Sequence, residues 1–101
     1  MKNAFPVSYA FDALLWKSQG PGGWYFVSLP PEMSSEIRLH FQSEEQGWGR
    51  LSAAVTLGSI AWESALWFDT KRNTYLLPIK TEIRRKARLT ADATLSLVVR
   101  I

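Results

Sequence analysis

The chain has 101 residues, of which 47% are hydrophobic and five are tryptophans, so it can build one hydrophobic core and is too short for a second. It contains no cysteine and only one histidine, which excludes disulfides, thiolate metal sites and multi-histidine zinc sites. The net charge is +3, and the excess of basic residues lies in the second half of the chain, mostly within residues 80–88.

The first half of the chain predicts two strands, a helix and a third strand. Aromatic and β-branched residues with local alternation indicate the strands, which are expected over residues 8–17, 24–29 and 50–57. Met33, Ile37 and Phe41 share one face at helical spacing, and two consecutive prolines before them suit a helix start. We therefore expect a helix over residues 31–41.

The second half predicts the same order of elements. Its strands are expected over residues 60–68, 74–79 and 94–101. A helix is expected over residues 81–88, with Thr81 as its N-cap. Its buried face contains three residues at helical spacing: Ile79, Ile83 and Ala87. Gly58 and Ser59 predict a two-residue type II′ hairpin that joins the two halves.

The two halves also match each other in sequence. At an offset of 51, residues 9–16 align with residues 60–67, and at an offset of 50, residues 25–33 align with residues 75–83. At an offset of 44, Leu51, Val55 and Leu57 align with Leu95, Val99 and Ile101. Three matches in the same order indicate an ancestral duplication, with repeats 9–57 and 60–101 in a single domain of residues 1–101. Each ββαβ half is too small for its own core, so we expect a mostly β, six-stranded barrel with pseudo-twofold symmetry, two short helices and a monomeric core.

Several motifs in the chain resemble a known family over nearly the whole length. They are Phe11-Asp12-Ala13-Leu14-Leu15-Trp16, Gly22-Gly23-Trp24-Tyr25-Phe26, Gly47-Trp48-Gly49 and Tyr75-Leu76-Leu77-Pro78-Ile79-Lys80. The chain resembles the bacterial family of domains of unknown function numbered nineteen-oh-five. The resemblance implies a double-split β-barrel related to AbrB- and MazE-like regulators, and it brings no established catalytic residue.

One position departs from that family. Asp92-Ala93 stands before the last strand, where the family usually has Gly-Asp. Asp adopts a left-handed backbone more readily than most residues, so we expect the turn to survive with some local destabilisation.

Two tryptophans are candidates for ligand binding. Trp24 and Trp48 lie beside glycines at the edges of loops, whereas Trp16, Trp62 and Trp67 lie inside predicted strands. The loop tryptophans either form an aromatic rim for a ligand or a nucleic-acid base, or they cap the end of the barrel.

Two carboxylates and a glycine-rich loop are further candidates. Asp12 and Glu63 occupy matching repeat positions, so they either meet across the pseudo-twofold axis as a carboxylate pair or lie apart as separate edge carboxylates. The loop of residues 19–24 either cradles a phosphate with its backbone N–H groups or simply connects two strands.

The strongest charge cluster is predicted on the second helix, with its members projecting outward into water. It contains Lys80, Arg84, Arg85, Lys86 and Arg88. Such a cluster is either a contact surface for the phosphate backbone of a nucleic acid or an ordinary solvated helix face.

The leading interpretation is a non-enzymatic module that binds a small molecule or a protein partner at the aromatic rim. The alternative is an AbrB-like regulator that binds nucleic acid weakly and non-specifically through residues 80–88, and a hydrolase or isomerase using the acidic pair ranks third. No catalytic residue, metal or cofactor is predicted. The N-terminal residues do not form a secretory signal and no apolar stretch reaches membrane-span length, so we expect a cytoplasmic protein without membrane contact.

Overall fold

The computed structural model describes residues 5–101, with Trp48 described by its backbone alone. The strands and helices follow in the order β1 (Ser8–Leu14), β2 (Trp16–Lys17), β3 (Tyr25–Ser28), α1 (Pro31–Phe41), β4 (Arg50–Leu57), β5 (Ile60–Asp69), β6 (Thr74–Pro78), α2 (Thr81–Lys86) and β7 (Thr94–Arg100). The expected mostly β class with two short helices is confirmed. Neither α1 nor α2, the α-helices of the described chain, is long and apolar enough to cross a membrane.

All the strands of the described chain belong to one curled antiparallel sheet in the order β1-β7-β4-β5-β6-β3-β2. We expected six strands, and the structure has seven because the first predicted strand is interrupted at Leu15. The Leu15 N–H donates to the Ala93 carbonyl at 2.8 Å, and its carbonyl accepts from the Asp92 N–H at 3.2 Å. Since β1 and β2 form opposite edges of the sheet and only Leu15 separates them, the sheet is strongly curled.

The core fills the concave side of this sheet. Alternate residues of each long strand point inward, so β4 buries Leu51, Ala53 and Val55. Ile37 of α1 and Ile83 of α2 are also buried, which confirms the predicted inner faces of both helices. Full burial of such a side chain stabilises the fold by about 1.5–3 kcal/mol.

The hairpin between β4 and β5 has the expected type II′ form. Leu57 pairs with Ile60 across a two-residue loop, and Gly58 has a φ of +59° while Ser59 stays outside the left-handed region. A positive φ at the first loop residue alone distinguishes type II′ from type I′. This turn sets the register of the whole β4–β5 pair.

Helix α2 is shorter than the expected 81–88 because the chain turns left-handed at Arg88, which has a φ of +54°. The Leu89 N–H then donates back to the Arg84 carbonyl at 2.9 Å, the bond that closes a Schellman motif. The expected N-cap was also wrong. Lys80 occupies the cap position without a side-chain hydrogen bond, and Thr81 is the first helical residue.

The turn before β7 has a left-handed backbone at Asp92. Its φ is +66°, which confirms the expectation that Asp supports a left-handed turn there. A left-handed backbone costs a non-glycine residue roughly 1–2 kcal/mol, and glycine avoids that cost. The turn matters because the Asp92 N–H donates to the carbonyl of Leu15, the residue between the two edge strands β1 and β2.

Replacing Asp92→Gly is expected to stabilise the protein by about 1 kcal/mol because it relieves this strain. Urea denaturation monitored by circular dichroism measures the change in the free energy of unfolding. The neighbouring Ala91 has no positive φ, so Ala91→Gly should give no gain and a small loss. Equal effects of the two substitutions would show that left-handed strain at residue 92 is absent.

Tyr75 connects β6 to the segment after α1 from inside the core. Its ring is fully buried, and its hydroxyl donates to the Glu45 carboxylate. Its backbone N–H donates to Ser34 Oγ at 3.1 Å, and Phe68 packs edge-on against the ring at 5.0 Å. Burial of the phenol, followed by its hydrogen bond to Glu45, raises the pKa of Tyr75 well above its ordinary value of 10.0.

This shift predicts a loss of stability in alkali. Above pH 10 the folded state keeps the phenol proton of Tyr75, whereas the unfolded state releases it. The contribution of this hydroxyl to the free energy of unfolding is therefore complete below about pH 10 and declines as the pH rises. Tyr75→Phe removes the ionisation, so its deficit relative to the wild type should shrink between pH 8 and pH 11. Urea denaturation at both pH values measures this, and a deficit that stays constant would contradict it.

Candidate functional site

A surface groove of about 450 Å³ runs along β4 and β5 and under the loop that precedes β3. We call it the Trp24 groove, and its walls include Trp24, Arg50, Glu63, Ser64, Trp67 and Lys80. Arg50 pairs directly with Trp67 across the β4–β5 ladder, next to the buried pair Leu51 and Leu66. Because alternate strand residues point to opposite faces, the inward Leu66 turns Trp67 outward into the groove.

Trp24 is the most exposed tryptophan among those whose side chains the structure describes, at 59% of its full accessible surface. Its indole lies nearly parallel to the Phe26 ring, with 6.4 Å between centroids and 17° between planes. Gly22 has a φ of +98°, and a Cβ there would lie 3.2 Å from the indole Nε1. The glycine-rich loop therefore lies close to the indole, and we predict that it helps to position the ring.

The charges in the groove are mostly positive. Arg50 lies 5.9 Å from the centre of the Trp67 ring and donates weakly to Gln46 Oε1 at 3.4 Å and Ser52 Oγ at 3.3 Å. Neither Arg50 nor Lys80 forms an ion pair with any residue that the structure describes. Glu63 is the one carboxylate among the described residues of the walls, so the groove has a net positive charge.

A smaller groove of about 240 Å³ continues the first one toward α2 and shares Trp24 and Lys80 with it. Arg84 lies in its wall with its guanidinium 4.0 Å from the centre of the Tyr25 ring. Arg84 also donates to the Ile79 carbonyl at 2.8 Å. The expectation that Arg84 projects freely into water is therefore wrong, because a ring and a buried carbonyl hold it against the protein.

The other four residues of the basic cluster lie in different surroundings. Lys80 lies in the groove, and Lys86 forms an exposed ion pair with Glu82 at 3.5 Å. Such exposed pairs contribute little to stability, about 0–1 kcal/mol. Arg85 and Arg88 are exposed and form no ion pair within residues 5–101. The helix thus presents fewer free cations than its sequence suggests.

Asp12 and Glu63 do not lie on neighbouring strands. Two strands, β7 and β4, separate β1 from β5, a distance of roughly 14 Å at normal strand spacing. Asp12 accepts a hydrogen bond from Ser96 Oγ at 2.7 Å, whereas Glu63 lines the Trp24 groove. Nowhere in residues 5–101 do three His, Asp or Glu side chains come close enough together to hold a metal ion.

Asp12 instead lines a different groove of about 400 Å³, which we call the Trp16 groove. Its walls include Asp12, Leu14, Trp16, Pro30, Arg72 and Thr74. The side chain of Trp48, the other candidate for the aromatic rim, lies outside the described residues. Of the four residues considered for ligand binding, the structure brings Trp24 and Glu63 into one groove.

Sequence reasoning missed Arg50 and Trp67 as groove residues. Trp67 was assigned to the interior of a strand, and Arg50 received no role. The signal was present, because a two-residue hairpin at Gly58 and Ser59 places Arg50 opposite Trp67 when the ladder is counted back from the turn.

The fold and the groove define a small β domain with a shallow, aromatic and positively charged candidate binding surface. The chain belongs to the family described as Domain of unknown function (DUF1905), whose model matches residues 11–99. This range contains every wall residue named for the Trp24 groove. No curated protein matches the chain.

The contact between Gly22 and the Trp24 indole can be tested directly. A methyl group from Gly22→Ala would collide with the indole at 3.2 Å and also require a left-handed alanine, so we expect a loss of roughly 1–2 kcal/mol and a displaced indole. Denaturation gives the first quantity, and the NMR shift of the Trp24 indole N–H gives the second.

Gly20→Ala is the matched control in the same loop. A Cβ at Gly20 would make only an ordinary contact of 3.6 Å with Ser18 Oγ, and Gly20 has no positive φ. It should leave the Trp24 resonance in place. If Gly22→Ala leaves it in place as well, the loop does not position the indole.

Proposed function

We propose that this domain is a non-enzymatic binding module whose ligand lies in the Trp24 groove and carries a negative charge beside a flat apolar face. The observation that carries the proposal is the 59% exposure of an indole that lies beside the Phe26 ring and close to Gly22. An aromatic side chain that is already ordered loses little conformational entropy when a ligand covers it. Arg50 and Lys80, without carboxylate partners in the described chain, supply the attraction for the negative group.

The composition of the groove favours binding over catalysis. Glu63 and Ser64 are neighbours on β5, but no histidine, cysteine or second carboxylate lines the groove among the described residues. A nucleophilic hydroxyl needs a base within hydrogen-bond reach, and a general base needs a partner that tunes its pKa. The acidic pair required by the hydrolase or isomerase interpretation has no support from the separate positions of Asp12 and Glu63.

We also propose that the sheet is a duplicated barrel of six strands, with β1 and β2 counted as one. Two strand registers support this proposal. Val27 pairs with Leu77, its equivalent at an offset of 50, and Val55 pairs with Val99, its equivalent at an offset of 44. A residue that pairs with its own repeat equivalent lies where a twofold axis would cross the sheet.

The second candidate function is nucleic-acid binding by residues 80–88, in the manner of an AbrB-like regulator. It is favoured by the exposure of Lys80, Arg85 and Arg88, which lie within nine residues of one another in the chain. Each contact with a phosphate contributes a salt-dependent term, with a log–log slope of about −0.9 per contact on duplex DNA. Three free cations allow fewer contacts than five, so this function would be weak and non-specific, and it ranks second.

A thermal-shift screen of anionic metabolites, nucleotides, metals and oligonucleotides tests the leading proposal. A ligand present at ten times its Kd stabilises the native state by about 1.4 kcal/mol, which raises the Tm of a domain this size by several degrees. We expect anions with a planar group to give such shifts. The shifts should disappear in Trp24→Ala and shrink in Lys80→Gln.

Arg85→Gln is the matched control for Lys80→Gln, because both remove one positive charge near α2 and only Lys80 lines the groove. A ligand whose stabilisation is equal in Trp24→Ala and in the wild type binds elsewhere. That outcome, or equal losses in Lys80→Gln and Arg85→Gln, would contradict the assignment of the groove.

A further inference from the structure

The two grooves named above are built from corresponding positions of the two sequence repeats. At an offset of 51, Asp12 of the Trp16 groove corresponds to Glu63 of the Trp24 groove, and Trp16 corresponds to Trp67. Both grooves thus share a carboxylate and a strand tryptophan in the same arrangement along a strand. The Trp16 groove can therefore serve as an internal comparison that shows which features of the Trp24 groove are special.

The groups that differ are those that recognise a ligand. At an offset of 50, Lys80 of the Trp24 groove is replaced by Pro30 of the Trp16 groove, and the exposed Trp24 is replaced by the buried Thr74. Only the Trp24 groove therefore combines a lysine with an exposed indole. Lys80 and Trp24 are therefore not needed to build the strands and loops of a repeat, because the other repeat has Pro30 and Thr74 at the same positions.

The charges of the Trp16 groove are already satisfied within the protein. Arg72 forms an ion pair with Asp69 at 2.6 Å and covers the Trp16 ring at 4.7 Å, and Asp12 accepts a hydrogen bond from Ser96. In the Trp24 groove, Arg50 and Lys80 have no such carboxylate partner in the described chain. The attraction for an anion is thus confined to one of the two grooves.

Three groups in the Trp24 groove make separate chemical demands. The indole of Trp24 favours a ligand with a flat ring, because two aromatic faces stack well on each other. Arg50 and Lys80 favour a compact negative group, and a phosphate carries enough charged oxygens to contact both side chains at once. Glu63 requires a hydrogen-bond donor such as an amino group or a hydroxyl. A nucleotide provides a base, a phosphate and sugar hydroxyls in one molecule.

We propose that the Trp24 groove binds a nucleotide unit, with its base on Trp24, its phosphate between Arg50 and Lys80, and a base amino group or sugar hydroxyl on Glu63. This inference rests on the proposed function and names its ligand class. The volume of about 450 Å³ lies within the usual range for small-ligand sites, about 300–1,000 Å³. The adjoining groove with Tyr25 and Arg84 would hold the next nucleotide of a single strand.

The test is an NMR titration of the ¹⁵N-labelled chain with four small probes: adenosine monophosphate, thymidine monophosphate, adenosine and inorganic phosphate. Each monophosphate should shift the indole N–H signals of Trp24 and Trp67 and the backbone signals of Arg50 and Lys80, while the signals of Asp12 and Trp16 stay in place. Adenosine and phosphate alone should each bind at least about tenfold more weakly than adenosine monophosphate, because each satisfies only part of the groove.

A ten-residue thymidine single strand and a ten-base-pair duplex distinguish the source of the nucleotide. If the single strand binds more than about tenfold more tightly than thymidine monophosphate, the natural ligand is a nucleotide within a strand, and equal binding indicates a free nucleotide. Tighter binding of the duplex, lost in Arg85→Gln and retained in Trp24→Ala, would assign binding to α2 and overturn the inference.

Single substitutions test whether the nucleotide binds in the Trp24 groove. Trp24→Ala and Lys80→Gln should each weaken monophosphate binding by about tenfold or more, and Arg85→Gln should leave it unchanged. Absence of binding by all the nucleotide probes overturns the inference, while a different planar anion that shifts the Trp24 signal would leave the proposed function standing. Shifts confined to the Trp16 groove would overturn both.

Discussion

The whole architecture depends on one segment of chain that supplies both edge strands of the sheet. Leu15 separates β1 from β2, and its N–H and carbonyl both bond to the turn before β7, at Ala93 and Asp92. An antiparallel sheet whose two outermost strands are joined through a single residue cannot remain flat. It must curl, and curling gives it an inner side that can be filled with apolar side chains and an outer side where neighbouring elements leave grooves.

The outer side acquires its candidate site through contacts made by α2 and the loop before β3. Arg84 lies over Tyr25 and bonds to the Ile79 carbonyl, so it fastens the start of α2 to the first residue of β3. Lys80, next to Ile79 in the chain, lines the Trp24 groove and the adjoining smaller groove together with Trp24. The basic residues 80–88 are therefore not one electrostatic patch, because Arg84 lies against the protein, Lys80 lines these grooves and Lys86 pairs with Glu82.

The sequence predicted most of the fold because strands, helices and turns leave local signals. Aromatic and β-branched content with local alternation located the six predicted strands, although β1 and β2 were expected as one, and Gly58 and Ser59 identified the hairpin type. The break at Leu15 had no local signal, since it arises from bonds to residues almost eighty positions away. The site was harder to predict for the same reason. The exposure of Trp24 followed from its glycine neighbours, whereas the role of Arg84 depends on a tertiary contact with Tyr25.

If the chain is duplicated as proposed, its two grooves are free to differ, which those of a dimer of half-length chains are not. In such a dimer, symmetry would give both grooves the same residues, so any change that improved one would be imposed on the other. In a single chain the two positions are independent. Under the proposed duplication, Pro30 and Thr74 line one groove while Lys80 and Trp24, at the same positions of the other repeat, line the other. The proposed symmetry would then be retained in the strand registers Val27–Leu77 and Val55–Val99 and lost in the two grooves.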